Sequence, residues 1–263
     1  MRIEGIREAR RTARTLLHRF GVTAAEHVRI EAFAKRLGAK IVEAPLDGAD
    51  AQLTRKGEAA TITVSDRIDD PASRKFAIAH ELGHLVLKHP TLPPHESQTL
   101  GSEDRLLETE ANVFASELLM PASLIAAWCK NAPATLDVPW RISETFGTSI
   151  LASARRFTEL SRARCAAVFC ADGRVVWVHR SFRFDRSIQR GRALDPGSLA
   201  YDYYAHGGLE RDALPVPEDA WLDAPTTAML IEHAVASPLH ATVLSMLWVP
   251  ERHHSAGMQM SNP

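Results

Sequence analysis

Apolar residues in the first quarter of the chain recur with two periods, each predicting a different element. A helical spacing runs through residues 2–20, at Ile3, Ile6, Ala9, Ala13, Leu16, Leu17 and Phe20. Because residues 1–20 carry six arginines, this helix is either an amphipathic targeting helix or a packed helix with a solvated face, and we favour the packed helix. Residues 23–26 read T-A-A-E, a capping box that predicts a second helix ending at Gly38. Strand-like runs follow at residues 40–43, 52–55 and 60–65.

Longer helices are predicted in the middle of the chain, and strands return near its end. Asp70 and Pro71 predict the start of a helix that meets no breaker for several turns. A second long helix should start at Ser102 and stop at Pro121, and residues 122–164 look helical throughout. Two apolar runs, 166–170 and 175–179, flank a turn and predict a hairpin, and residues 241–249 predict a late strand.

Length and composition indicate an ordinary globular protein. The chain has 263 residues, 45% hydrophobic and 24% charged, with a net charge of −1, so nothing drives it as a whole toward nucleic acid or acidic membranes. Cys129, Cys165 and Cys170 form no C-x-x-C pair, which suits a reducing cytoplasm and argues against a disulfide framework. Since the sequence also has no membrane-spanning apolar run and no signal-peptide core, we expect a cytoplasmic protein without membrane contact. Its oligomeric state is not indicated.

Residues 80–84 read H-E-L-G-H and lie inside the helix that begins at Pro71. On a helix His80 and His84 are one turn apart on one face, so both imidazoles can hold one metal ion. Glu81 is rotated by about 100° from His80 but can still reach a water molecule beside the metal. This is the H-E-x-x-H arrangement of zinc peptidases. The alternative, polar residues on a surface helix, does not explain Gly83, since a glycine in a helix costs about 1 kcal/mol relative to alanine.

The helix after residue 102 supplies candidates for the third ligand that such a zinc site needs. Glu108 and Asn112 lie on one stripe of that helix, and Asn112 can orient a metal-bound histidine through a hydrogen bond. Glu110 lies about 200° away from Glu108 and should face outward or toward another helix, so we favour Glu108 as the ligand. The remaining candidates are expected to be ordinary solvated groups: Glu103, Glu117, His89 and His95.

Together the two motifs resemble the ImmA/IrrE family of metallo-endopeptidases. The resemblance rests on H-E-L-G-H at residues 80–84 and on E-T-E-A-N-V-F-A-S-E-L-L-M-P at residues 108–121. It implies a gluzincin-like zinc site in which His80, His84 and Glu108 bind the metal and Glu81 is the general base. It also implies a substrate, a helix-turn-helix repressor of the XRE type whose cleavage releases stress-response, DNA-repair or mobile-element genes.

We therefore predict an α+β protein with a zincin-like peptidase domain at residues 1–121. A helical, helix-turn-helix-like segment should follow at residues 122–164, then a small C-terminal α+β domain at residues 165–250 and a flexible tail at residues 251–263. Some family members carry a GAF-like sensory domain in the third position, although no motif of this chain identifies one.

Three alternatives remain open on the sequence alone. The strand at residues 60–65 is either an exposed edge that captures an extended substrate or part of a plain structural hairpin. Zinc suits the His₂Glu set, yet Mn²⁺ or Fe²⁺ can occupy it in cells. The protein can also be a DNA- or repressor-binding regulator that retains a peptidase fold without proteolysis. Only Arg155 and Arg156 provide positive charge on the second helix of the helix-turn-helix outline, so direct DNA binding is not expected.

Overall fold

In the computed structural model, which describes residues 2–90, 102–225 and 229–250, the chain forms two units. Unit 1 consists of residues 1–129 and 137–160, and unit 2 of residues 130–136 and 161–263. The helices after residue 121 thus group largely with the first unit. His95 and the expected tail at residues 251–263 lie outside the described residues.

Unit 1 is a helical body with one small sheet. Its helices are α1 Arg2–Arg19, α2 Ile30–Arg36, α3 Pro71–Val86, α4 Ser102–Leu119, α5 Ala122–Cys129, α6 Asp137–Phe146 and α7 Ile150–Leu160. Its strands are β1 Ala39–Ala44, β2 Ala51–Lys56 and β3 Ala59–Ser65. The sheet order is β1-β3-β2, with β1 parallel and β2 antiparallel to β3.

The strand expected at residues 60–65 is present as β3, but the interpretation of it as an exposed edge is wrong. β3 pairs with a strand on each side, and its Ile62 and Val64 are fully buried. The exposed end of β2 carries Arg55 and Lys56 instead, and charged side chains are typical of edge strands. Any edge that a substrate pairs with must therefore be β1 or β2.

Local capping explains where α3 begins and corrects the expected start of α2. The Asp70 carboxylate accepts hydrogen bonds from the N–H groups of Ala72 and Ser73, and Pro71 occupies the first turn, as predicted. The predicted capping box at residues 23–26 is wrong, because a 3₁₀ turn forms there and the Thr23 N–H donates to Nδ1 of His27 at 3.3 Å. α2 therefore starts later, at Ile30.

A buried ion pair ties α4 to α7. Glu117 and Arg156 are each 1% exposed, and 2.6 Å separate Oε2 of Glu117 from the guanidinium of Arg156. The Glu117 carboxylate also accepts from Arg14 of α1 at 3.1 Å and from the N–H of Ala122 at 3.1 Å. Burial alone would raise the pKa of Glu117, but the charge of Arg156 and these hydrogen bonds outweigh it and lower the pKa. The expectation that Glu117 is a solvated charge is therefore wrong.

The same ion pair makes Arg156 unavailable for contact with DNA, although it lies on α7, the helix considered for DNA binding. Arg156 points into the protein, where it also donates to the carboxylate of Glu159 at 2.8 Å and to the carbonyl of Met120 at 3.1 Å. Of the two arginines of α7, only Arg155 is exposed. A recognition helix must present several side chains to a groove, so this helix is better described as a packing element of unit 1.

Unit 2 contains one five-stranded antiparallel sheet and one α-helix among its described residues. The elements are β4 Cys165–Ala171, β5 Arg174–Arg180, α8 Leu199–His206, β6 Leu214–Val216, β7 Leu230–Ser237 and β8 Thr242–Trp248, in the sheet order β5-β4-β8-β7-β6. The predicted hairpin and late strand are confirmed. At the hairpin turn Asp172 (φ 51°) and Gly173 (φ 67°) adopt the left-handed conformation that a two-residue turn needs.

A buried carboxylate in β7 connects several elements of unit 2. Because a charged residue is not expected at a core-facing position of a strand, β7 was not predicted from the sequence. Glu232 of β7 is fully buried and accepts hydrogen bonds from four donors. These donors are the N–H groups of Leu199 (2.9 Å) and Ala200 (3.0 Å), the indole of Trp221 (2.8 Å) and the hydroxyl of Ser245 (2.7 Å). Because two of them are the first N–H groups of α8, Glu232 anchors that helix on the sheet.

Among the described residues, no single helix is long and apolar enough to cross a membrane. One pair of consecutive helices, Asp104–Leu119 with Ala122–Cys129, meets that test jointly by length and composition, and it is bent by 81°.

We predict that Glu117→Gln destabilises unit 1 by up to about 3–5 kcal/mol, because it removes the fully buried carboxylate beside Arg156 and leaves only the more exposed Glu159 to balance that charge. Denaturant unfolding followed by circular dichroism measures the change. Glu43→Gln is the matched control, since Glu43 is 61% exposed and its pair with Arg74 should contribute only about 0–1 kcal/mol. Equal effects of the two variants would contradict the prediction.

The pH dependence of this contribution follows from the lowered pKa of Glu117. A carboxyl with a lower pKa in the folded state stabilises the fold fully above its unfolded pKa, for which the ordinary value is 4.5. The contribution is lost as the pH falls through the lowered folded value. Below that value the free energies of unfolding of the parent chain and the Glu117→Gln variant should therefore converge.

Candidate metal centre

Three side chains from α3 and α4 converge on one point. The Nε2 atom of His80 lies 3.1 Å from Oε2 of Glu108, and Nε2 of His84 lies 3.3 Å from Oε1 of the same carboxylate. The two Nε2 atoms are 3.0 Å apart. Glu108, rather than Glu110, is thus the carboxylate that faces the two histidines.

The spacing of these atoms fits a single small cation. One donor atom from each of His80, His84 and Glu108 lies within 4.8 Å of the others. Bonds of about 2.0–2.1 Å in tetrahedral geometry place donor atoms about 3.3 Å apart. The separation of the two Nε2 atoms, and that of each Nε2 from its nearer Glu108 oxygen, are close to this value. Two imidazoles and one carboxylate form the donor set of catalytic zinc sites, which leave a fourth position for water or substrate.

The close approach of α3 and α4 brings Glu108 to the histidines. A Cβ atom on Gly83 would lie 3.1 Å from Cα and 3.2 Å from the carbonyl oxygen of Ala111, and 3.3 Å from the Phe114 ring. The backbone of Ala111 cannot easily move away, so a side chain at position 83 would push the helices apart. The close packing of α3 against α4 therefore explains why position 83 is a glycine.

Electrostatics favour an ionised carboxylate at the centre. Hydrogen bonds with His80 and His84 hold the pKa of Glu108 well below its usual range, although burial acts in the opposite direction. A negatively charged oxygen is the form of a carboxyl group that binds a divalent cation.

Glu81 lies beside this cluster and contacts the edge strand β2. Its carboxylate accepts a hydrogen bond from the N–H of Leu53, and burial raises its pKa even though His80, His84 and that N–H lower it. The carbonyl of Asp50 accepts from the N–H of Ser65 in β3 at 2.9 Å. Since strand residues alternate in direction, Ala51, like Leu53, directs its N–H toward the open edge.

Hydrogen bonding also fixes the ring of His80. Its Nδ1 lies 3.0 Å from Oδ1 of Asn112, as expected from the position of Asn112 one turn after Glu108. An N–H at Nδ1 that donates to this oxygen leaves Nε2 of His80 free to bind a metal.

The partner of His84 is His89, a residue that the sequence analysis missed because it follows the helix and was expected to be solvated. His89 is only 5% exposed, and its Nδ1 lies 3.1 Å from Nδ1 of His84. Its Nε2 lies 3.2 Å from Oε2 of Glu110. Burial and the neighbouring His84 lower the pKa of His89 to about 4, so it is neutral at pH 7. The position of His89 just past the C-terminus of α3 was the only signal in the sequence.

A comparison with protein-family models matches the middle of the chain. Residues 34–158 match the model of the IrrE N-terminal-like domain of peptidase family M78. This part of the chain is therefore similar to that metallopeptidase family, and the resemblance to the ImmA/IrrE family is confirmed.

Two individual proteins add to this picture. An uncharacterized immunity region protein 2 of Bacillus phage phi105 is 46% identical over 68 residues, which are 25% of this chain and 41% of that protein. The match thus spans about two fifths of the relative's length. The structure of a Mycobacterium tuberculosis transcriptional regulator matches with a TM-score of 0.57 and 16% identity, over 92% of this chain and 76% of that one. At this identity the match concerns the fold alone, and the predicted α+β class is confirmed.

We predict that Glu108→Gln lowers zinc affinity by more than roughly 10–100-fold. That range is the typical cost of losing a residue that only hydrogen-bonds to a metal ligand. The amide keeps the shape of the side chain but removes the charged oxygen that binds the cation. Competition with a chromogenic chelator measures the affinity, and Glu43→Gln serves as the control. Unchanged zinc affinity in Glu108→Gln would contradict the ligand assignment.

Proposed function

We propose that this protein is a zinc-dependent endopeptidase that cleaves a transcriptional repressor of the helix-turn-helix XRE type. The convergence of His80, His84 and Glu108, with Glu81 alongside, is the observation that carries the proposal. The match of residues 34–158 to a metallopeptidase family model supports it. Zinc is the metal that the donor set suits best, while Mn²⁺ or Fe²⁺ can replace it in cells.

In this proposal His80, His84 and Glu108 hold the metal. The bound metal supplies a Lewis acid that polarises the peptide carbonyl and makes a water molecule more acidic. Glu81 takes a proton from that water as the water oxygen bonds to the carbonyl carbon. The same carboxyl group then gives the proton to the departing amine nitrogen as the C–N bond breaks. The burial that raises the pKa of Glu81 makes its carboxylate a stronger base.

The substrate class rests on the family resemblance and on the phage relative. That relative is named as an immunity region protein, and the family resemblance implies repressors as targets. Cutting such a repressor would release stress-response or mobile-element genes. The rival hypothesis of DNA binding has less support, since Arg155 is the one arginine that α7 presents to solvent. Repressor binding without proteolysis is separated from cleavage by a cleavage assay.

The edge strand β2 is the best candidate for holding the substrate. Its outward N–H at Leu53 already contacts Glu81, so a peptide paired with this edge would run beside the general base. Arg55, near the end of the same strand, donates to the carbonyls of His84 (2.8 Å) and His89 (3.2 Å) at the C-terminus of α3. These bonds hold β2 against α3. Backbone pairing with β2 gives affinity without reading sequence, so selectivity must come from other surfaces.

Glu81→Gln separates metal binding from catalysis. We expect this variant to retain the zinc affinity of the parent chain and to lose repressor cleavage by about 10²–10⁴-fold, because an amide cannot accept the proton. The measurement is a gel-based cleavage assay on a purified helix-turn-helix repressor of the XRE type, together with zinc titration. Full cleavage by Glu81→Gln would refute the proposal, and repressor binding without cleavage by the parent chain would favour the rival hypothesis.

Ala51→Pro tests substrate capture by β2. Proline at the first residue of an edge strand removes one outward N–H and leaves the ladder with β3 in place. We expect KM for an extended repressor peptide to rise while zinc affinity stays the same. An unchanged KM would show that this part of β2 does not pair with the substrate.

A further inference from the structure

A chain of three side chains leads away from the proposed metal site. It runs from His84 through His89 to Glu110, and its last carboxylate oxygen lies against α1. His89 is buried, and the exposed fraction of the Glu110 side chain is only 14%. The set connects the end of α3 to the middle of α4, on the side away from Asn112.

The direction of each hydrogen bond follows from the role of His84. Its Nε2 faces His80 and Glu108, so this nitrogen is the one available to a metal, and its proton must sit on Nδ1. The Nδ1–H of His84 then donates to Nδ1 of His89 at 3.1 Å. His89 carries its own proton on Nε2, which donates to Oε2 of Glu110 at 3.2 Å.

We propose that His89 and Glu110 are positioning residues, which fix the ring and the tautomer of His84 for metal binding. This inference rests on the proposed metal site. A ligating histidine that donates its other N–H to an acceptor is held in place and binds the metal more strongly. Here the acceptor is a second histidine whose tautomer is set by a carboxylate, so Glu110 acts on the metal through two rings.

α1 completes the arrangement at Gly5. A Cβ atom at this position would overlap Oε1 of Glu110, so the glycine leaves the room that the carboxylate occupies. Only the end of a flexible side chain would be displaced by a methyl group there. Gly5→Ala therefore displaces the Glu110 carboxylate from its present position, and so disturbs its hydrogen bond with His89, without changing either residue.

The test is zinc affinity measured by chelator competition on the full-length protein. His89→Phe and Glu110→Ala should bind zinc roughly 10–100-fold more weakly than the parent chain. Glu110→Gln should lose less, because its amide oxygen still accepts from Nε2 of His89. Glu8→Gln, which changes an exposed carboxylate on α1, should bind zinc as the parent does.

Gly5→Ala provides the decisive comparison if His89→Phe folds poorly. Alanine is a better helix former than glycine, so the metal-free protein should be no less stable to heat. Its zinc affinity should nevertheless fall, and it should fall no further when Gly5→Ala is added to Glu110→Ala, because both act on the same bond. The visible bands of the Co²⁺-substituted protein should shift in Gly5→Ala and not in Glu8→Gln.

The outcomes separate this inference from the proposed function. Unchanged zinc affinity in both Gly5→Ala and Glu110→Ala would overturn the positioning role while leaving the metal site intact. Absence of zinc binding by the parent chain would overturn the site and the positioning role together. Loss of zinc affinity that only accompanies loss of thermal stability in the metal-free variants would make the role structural, and would also overturn the inference.

Discussion

The contact between α3 and α4 at Gly83 and Ala111 is the constraint on which the candidate metal centre depends. Two histidines on one helical turn follow from spacing alone, but the third donor comes from another helix. Glu108 reaches Nε2 of both histidines because nothing larger than a hydrogen atom separates the two backbones at Gly83. Helices that pack around ordinary side chains are about 8–10 Å apart, so a close approach needs a small residue at the crossing. A glycine that is costly for an isolated helix is thus required by its packing.

The rest of unit 1 holds this helix pair from outside. On one side, α1 contributes Arg14 to the buried Glu117 of α4 and accommodates Glu110 at Gly5. Arg156 of α7 completes the charge balance of Glu117. On the other side, Arg55 of β2 bonds the last carbonyls of α3, where the helix would otherwise leave acceptors unsatisfied. Charged groups that look like surface residues in the sequence therefore connect the elements around the site.

What the sequence could predict was local, and what it could not predict depended on contacts between distant elements. The start of α3 at Asp70, the shared face of His80 and His84, and the preference for Glu108 over Glu110 all follow from helical spacing and capping. The central place of β3 does not, because strand order is decided by pairing partners that periodicity leaves unspecified. β7 was missed for a related reason, since Glu232 stands at a core-facing position and breaks the apolar alternation. His89 likewise needed the partners His84 and Glu110, which lie in two different helices, before its burial could be understood.

The most direct test of the candidate metal centre is the anomalous scattering of zinc in crystals of the zinc-loaded protein. We expect one strong peak in unit 1, about 2.0–2.2 Å from Nε2 of His80, Nε2 of His84 and a carboxylate oxygen of Glu108. Glu81 should lie nearby without bonding to the ion. A peak coordinated by Glu110 or His89 in place of these residues, or no peak between α3 and α4, would contradict the assignment.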